Sequence, residues 1–222
     1  MNKNKTALVL GATGLTGNKC LEKLLVNPNY LKVIVLVRQN INLKSEKLEQ
    51  HIVDFNQLAN YSEKFQVNDV FCCLGTTIKK AKSKQNFENI DLHLVVNAAK
   101  ISKQANVDKF MVISAIGASQ KALSFYSKTK GCMEDALKAL NLNQLIIFRP
   151  SLLLGKRNET RLLEGIGNYI FKFIAFLFIG SLKRYRPIAA STLAEQMLLS
   201  ANNINYKAPV YLEVESISPC DG

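Results

Sequence analysis

The stretch TALVLGATGLTG, residues 6–17, decides how the chain is read. Thr6 to Leu10 is an apolar run of the kind that forms a strand buried on both faces. It ends on Gly11, and beyond Gly14 the period changes at once to that of a helix, Leu15 to Val26. Glycines at positions 11, 14 and 17 let the chain turn tightly, let its backbone approach a ligand, and let the helix pack closely on the strand. The first turn of such a helix offers free N–H groups and the positive end of the helix dipole. Residues Gly11, Thr13, Gly14, Leu15, Thr16 and Gly17 are therefore suited to hold a phosphate-bearing anion. Strand, glycine turn and helix in that order mark a dinucleotide-binding unit.

Working outward, short apolar runs alternate with helix-periodic segments along most of the chain. Strands are predicted near Thr6 to Leu10, Val33 to Val37, Gln50 to Asp54, Asp69 to Cys73, Lys109 to Ser114 and Gln144 to Phe148, with a late one near Val210 to Val214. Helices are predicted over Leu15 to Val26, Gln57 to Lys64, Gln85 to Gln104, Ser124 to Leu140 and Ser191 to Ala201. Consecutive β/α units of this kind predict an α/β fold with a doubly wound, mostly parallel sheet, the Rossmann architecture. At 222 residues the chain reads as a single domain, 1–222, in which residues 151–222 supply a small substrate side.

Composition bounds the function. A chain that is 48% hydrophobic, 21% charged and holds only 5 prolines folds as an ordinary globule, not as a disordered segment. Five cysteines, Cys20, Cys72, Cys73, Cys132 and Cys220, lack metal-ligand spacing, and His51 and His93 are the only histidines, so no metal site is expected. Cys72 and Cys73 are neighbours in a strand and point to opposite faces. The net charge of +12 is mostly scattered lysine, with one run at Lys79, Lys80, Lys82 and Lys84. No aromatic residues interleave that run, which reads as a solvated loop or as attraction for an anionic small molecule, and no specific nucleic-acid partner is expected. Met1 to Lys5 leads straight into the first strand without a signal peptide's apolar stretch, which predicts a cytoplasmic protein. Ile166 to Gly180 is the most apolar segment, but its 15 residues include Lys172 and fall short of the roughly 20 that span a bilayer. No transmembrane segment is expected, and a homodimer is left open.

The ends of the later strands hold the candidate chemistry. Ligands of open α/β sheets bind beyond the carboxyl ends of the strands, which places Leu74, Gly75, Thr76 and Thr77 in the groove. The second strand ends in Val37, Arg38, Gln39 and Asn40, without the carboxylate that would hold an unphosphorylated ribose. Arg38 offers a planar fork suited to a 2′-phosphate, so NADP(H) is favoured over NAD(H). Ser114 ends the fifth strand, and Tyr126 and Lys130 stand four apart on the helix that follows, sharing one face. A cation about 5 Å from a phenol, at an effective dielectric of ~20, favours loss of the phenolic proton by roughly 3 kcal/mol.

Gly11 to Gly17, the turn at Cys72 to Thr77, Ser114, Tyr126 with Lys130, and Phe148-Arg149-Pro150 together resemble an atypical short-chain dehydrogenase/reductase. Within that group the chain is similar to the Tat-interacting-protein type of NADPH-binding oxidoreductase and its small bacterial relatives, over about Thr6 to Ala201. The resemblance implies that Tyr126 donates and accepts the proton, that Lys130 binds the cofactor ribose and assists Tyr126, and that Ser114 polarises a substrate carbonyl. It also implies Asp54 and Phe55 at the adenine and Pro150 along the groove. Asp54 has a second reading, as the cap of the next helix. The chain departs from the pattern on the long helix, where Asp91 stands near the position at which extended members carry an asparagine and Asn97 lies two turns away. The implied activity is reduction or oxidation of a small carbonyl or alcohol. Alternatives are an NADPH-reading regulatory protein with little catalysis, a nucleotide-sugar epimerase or dehydratase, and a thiol-based dehydrogenase using Cys72 or Cys73.

Overall fold

The computed structural model describes residues 4–154, 187–202 and 210–214. Its centre is a seven-stranded sheet. The strands are β1 (Lys5–Leu10), β2 (Tyr30–Val37), β3 (Leu48–Ile52), β4 (Asp69–Cys72), β5 (Lys109–Ile113), β6 (Leu145–Pro150) and, last in the chain, β9 (Val210–Val214). Their order is β3-β2-β1-β4-β5-β6-β9 and every pairing is parallel. A second, two-stranded parallel pair joins β7 (Leu153–Leu154) to β8 (Ile188–Ala189).

The chain winds outward from β1 to β3, then crosses back so that β4 lies on the other side of β1. Residues Ala7–Leu10 pair with Val33–Leu36 of β2 and with Asp69–Cys72 of β4. The direction of winding therefore reverses between β1 and β4, and the crevice beyond their carboxyl ends is where ligands of such sheets bind.

Alternating side chains feed two core layers. Leu8, Leu10, Val70, Cys72, Phe110, Val112 and Ile147 pack on one face, against α4 (Leu94–Gln104) and α5 (Phe125–Ala139) through Val95, Ala98, Met133 and Leu137. Ala7, Val9, Phe71, Met111, Ile146 and Phe148 pack on the other. There they meet α1 (Leu15–Val26) and α6 (Ala190–Asn202) through Cys20, Leu21, Leu24, Leu193 and Met197. Fully burying one such side chain contributes about 1.5–3 kcal/mol.

The expected α/β class and the seven expected strands of a parallel sheet hold, and the β7–β8 pair is additional. The differences are local. β2 starts three residues earlier than expected, and β3 ends at Ile52. The segment expected as a short helix is a 3-10 run, Phe55–Phe65. The helix expected over Gln85 to Gln104 is interrupted by one π turn, Asn89–His93, between α3 (Lys84–Glu88) and α4, and an unexpected short helix, α2 (Ile78–Ala81), precedes it. The apolar stretch Ile166 to Gly180 lies outside the described residues. No helix among the described residues is long and apolar enough to cross a membrane.

Candidate functional site

The glycine turn is shaped by contacts that only hydrogen can make. Gly11 adopts φ +78°, and a Cβ there would lie 2.6 Å from the Cys73 carbonyl oxygen. A Cβ on Gly17 would lie 2.1 Å from the Gly11 carbonyl oxygen, so the first turn of α1 rests directly on the turn backbone. Gly14 caps α1 with extended backbone, without a side-chain cap and with no acidic residue in the first turn. The N–H groups there are left to a ligand. Thr16 is buried and its Oγ1 has no hydrogen-bond partner. A buried hydroxyl so placed costs about 1–3 kcal/mol unless something meets it. A dinucleotide pyrophosphate fits this site, with acceptor oxygens for Thr16 and for the helix N–H groups.

At the far end of the groove, Arg38 is exposed directly beyond β2. Val53 continues beside it, its N–H donating to the Val37 carbonyl at 2.9 Å. Asp54 caps the 3-10 run, accepting from Asn56 N at 2.9 Å and Asn56 Nδ2 at 3.0 Å. Capping is thus its observed role, and Phe55 follows it half-buried.

Beyond β4 the structure brings together residues that are far apart in sequence. Asp91 is 1% exposed and its Oδ1 lies 2.8 Å from Lys130 Nζ, itself on a side chain only 4% exposed. Asp91 Oδ2 accepts the Thr76 N–H at 2.8 Å. Lys130 Nζ also donates to the Ile113 carbonyl at 3.3 Å. Gly75 lies over this pair, since a Cβ on it would meet Asp91 Oδ1 at 3.3 Å and Lys130 Nζ at 3.9 Å. The π turn Asn89–His93 inserts an extra residue in the helix at Asp91, where such turns often mark function. Asn97 is exposed instead, in an outer groove with Val96, Lys100 and Cys132. Asp91 is therefore the residue that meets Lys130.

Tyr126 stands one turn before Lys130 at the start of α5, where Ser124 caps the helix by accepting from Ser127 N at 3.0 Å. It is 37% exposed, with its ring 5.6 Å from that of Phe87. Thr77 caps α2, accepting from Lys80 N at 3.2 Å. Lys79, Lys80, Lys82 and Lys84 are all exposed there.

Ser114 meets a partner on the helix that follows it. It is 3% exposed, and its hydroxyl donates to Glu134 Oε1 at 2.6 Å. Glu134, one turn beyond Lys130, is held in turn by Arg149, through Nε at 3.0 Å and Nη2 at 2.5 Å. The hydroxyl thereby ties β5, α5 and β6 together. Sequence reasoning missed Glu134 entirely; the signal was an acid four residues after Lys130 on a face that must be buried. Pro150 is buried at the end of β6. Leu74 is buried directly after Cys73.

Burial pushes the Cys72 thiol up to about 12, and the thiol of Cys73 is raised by its hydrogen bond to Cys20 together with burial. Neither is a ready thiolate, which argues against a thiol-based dehydrogenase. No cluster of metal-ligating side chains occurs among the described residues.

The family model described as NAD(P)H-binding matches residues 11–168. Protein HTATIP2 of Rattus norvegicus is 34% identical over 173 residues, covering 76% of this chain and 71% of its own. Protein FMP52, mitochondrial, of Debaryomyces hansenii is 31% identical over 172 residues, covering 75% and 74%. UDP-glucuronic acid 4-epimerase from Bacillus cereus in complex with NAD superposes with a TM-score of 0.72 at 14% identity, over 96% of this chain and 78% of the epimerase. MoeE5 in complex with UDP-glucose and NAD does so at 0.69 and 16%, over 93% and 75%. At such identities the last two share the fold alone. The glycine turn and the relatives agree: this chain belongs to the NAD(P)H-binding family, as an atypical short-chain dehydrogenase/reductase related to HTATIP2.

Proposed function

We propose that the protein is an NADPH-dependent oxidoreductase acting on a small carbonyl or alcohol, with Tyr126 as the proton donor. The observation that supports this most is Lys130, a buried ammonium held at the mouth of the β1/β4 crevice one turn from Tyr126 on the same face of α5. When bound, the cofactor supplies the hydride. The chain does the rest. Gly14 to Gly17 would hold the pyrophosphate, Arg38 would pair with a 2′-phosphate, and Lys130 would donate to ribose hydroxyls. Tyr126 hands its proton to the developing alkoxide. Residues 151–222 complete the domain and supply the substrate side.

Tyr126→Phe keeps the ring and removes the donor, so turnover falls roughly 100-fold or more while cofactor affinity stays nearly unchanged. A substrate whose turnover is indifferent to that change contradicts the mechanism.

A regulatory reading, in which NADPH is bound but little is turned over, is favoured by two observations. Ser114 is committed to Glu134, and Asp91 offsets the charge of Lys130. That reading expects no turnover across a panel of aldehydes, ketones and alcohols, with or without Tyr126. The partner in either case is a small molecule, and no specific nucleic acid is expected. We place the protein in the cytoplasm; the yeast relatives carry a mitochondrial name.

A further inference from the structure

Two thiols meet beneath the dinucleotide turn. Cys20 Sγ, on the buried face of α1, lies 3.9 Å from Cys73 Sγ at the end of β4. Both belong to the core layer shared by α1 and α6, where Cys20 also touches Met197 Sδ at 3.8 Å. Cys72 is packed in the opposite layer with Leu10 and Val112, so it does not compete for its neighbour. Cys132 lies apart, in the outer groove with Leu92 and Val96.

We propose that Cys20 and Cys73 form a redox modification site, at which a hydroperoxide closes a disulfide beneath the glycine turn and lowers dinucleotide affinity. Cys73 is the more accessible of the two and is attacked first. Its sulfur displaces water from hydrogen peroxide to become a sulfenic acid. The Cys20 sulfur then attacks that sulfenic sulfur and expels a second water, so two thiols and one peroxide give one disulfide and two waters. Because Cys73 is held mostly as the thiol, the step runs through a small thiolate fraction and is slow, and a small oxidant such as hydrogen peroxide is the one that reaches it.

The coupling to the cofactor follows from the lack of slack. Closing an S–S bond of ~2.05 Å brings the sulfurs about 1.9 Å nearer. One turn before Cys20, Gly17 already rests backbone to backbone on Gly11, and the Cys73 carbonyl abuts Gly11 from the other side. Contraction at the sulfurs therefore displaces the first turn of α1 or the turn itself, the two elements that hold phosphate.

The test treats the full-length protein with hydrogen peroxide, alkylates the remaining thiols and maps tryptic peptides. The expected product joins residues 20–23 to residues 65–79, disappears in Cys20→Ala and in Cys73→Ala, and persists in Cys132→Ala. The NADP+ dissociation constant rises about tenfold or more on oxidation and returns with dithiothreitol, roughly 1.4 kcal/mol of coupling. Saturating NADP+ shifts the dithiol–disulfide equilibrium in a dithiothreitol buffer toward the dithiol by the same factor, as reciprocity requires. Peroxide treatment that leaves peptides 20–23 and 65–79 unlinked in wild-type protein overturns the proposal, and so does a linked protein with unchanged NADP+ affinity. The mapping on wild-type protein stands even where a cysteine variant fails to fold.

Discussion

Asp91 and Lys130 are ion-paired out of water, and each is tolerable there only because of the other. Asp91→Asn keeps an acceptor for the Thr76 N–H but strands the ammonium, which is expected to cost about 3–5 kcal/mol of stability. Lys130→Met costs a similar amount for the opposite reason. The double variant should recover most of the loss, so urea denaturation of the cycle yields a strong coupling; additive losses contradict the pairing. The sequence offered Asp91 and Asn97 without deciding between them. The deciding signal was a polar residue four positions after Phe87 and four before Val95, both fully buried, which puts Asp91 in the apolar stripe of the helix. Ser114 was legible as the end of a strand but its direction was not. That direction depends on Glu134 and Arg149, which reach it from two other elements.

Elements were legible wherever a period persisted, and were misread where a single residue altered the turn. The π turn at Asn89–His93 leaves the apolar spacing nearly intact, so an interrupted helix reads as a continuous one. Gly131 carries no signal in the period of its helix. It sits inside α5, where glycine costs about 1 kcal/mol relative to alanine, and a Cβ on it would lie 2.2 Å from Ser119 backbone carbon and 2.4 Å from Gln120 nitrogen. That contact seats the loop after β5 on α5. A second set of elements is bound at the opposite end of the sheet. Lys5 and Tyr30 meet Asp69 Oδ2 at 2.9 and 2.6 Å, while Lys5 and Lys109 donate to the Ala201 carbonyl at the end of α6.

Tyr30 in that network, and the buried Cys72 thiol at the other end of β4, predict a fall in stability at alkaline pH. Burial, and after it the Asp69 charge, raises the Tyr30 phenol far above its ordinary value, and burial pushes Cys72 from 9.0 to about 12. Groups raised on folding stay neutral in the native state while the unfolded chain ionises. Their contribution is complete below the unfolded value and is lost as pH rises beyond it. The urea midpoint should hold to about pH 9 and fall steadily toward pH 12, and the fall should be shallower in Tyr30→Phe. A midpoint flat across that window contradicts the burial of both groups.

At the scale of the whole molecule, the doubly wound sheet was readable because parallel strands covered on both faces leave uninterrupted apolar runs, as in TALVL and KFMVI. The crossover that places β4 beside β1 was implied by the glycine turn, since that turn is useful only at a reversal of winding. The β7–β8 pair was not readable, for two residues a side carry no period. Charge points the same way as topology: Arg38 stands exposed at the groove's end with no acid beyond β2 to prefer an unphosphorylated ribose. The most direct measurement is calorimetric titration of NADPH and NADH into wild-type protein and Arg38→Ala. Losing one charge-assisted phosphate contact costs about 1.5–3 kcal/mol, so NADPH should bind roughly 10- to 100-fold more tightly than NADH, and Arg38→Ala should erase most of that ratio. Equal dissociation constants in wild-type protein, or a ratio untouched by Arg38→Ala, would contradict the account.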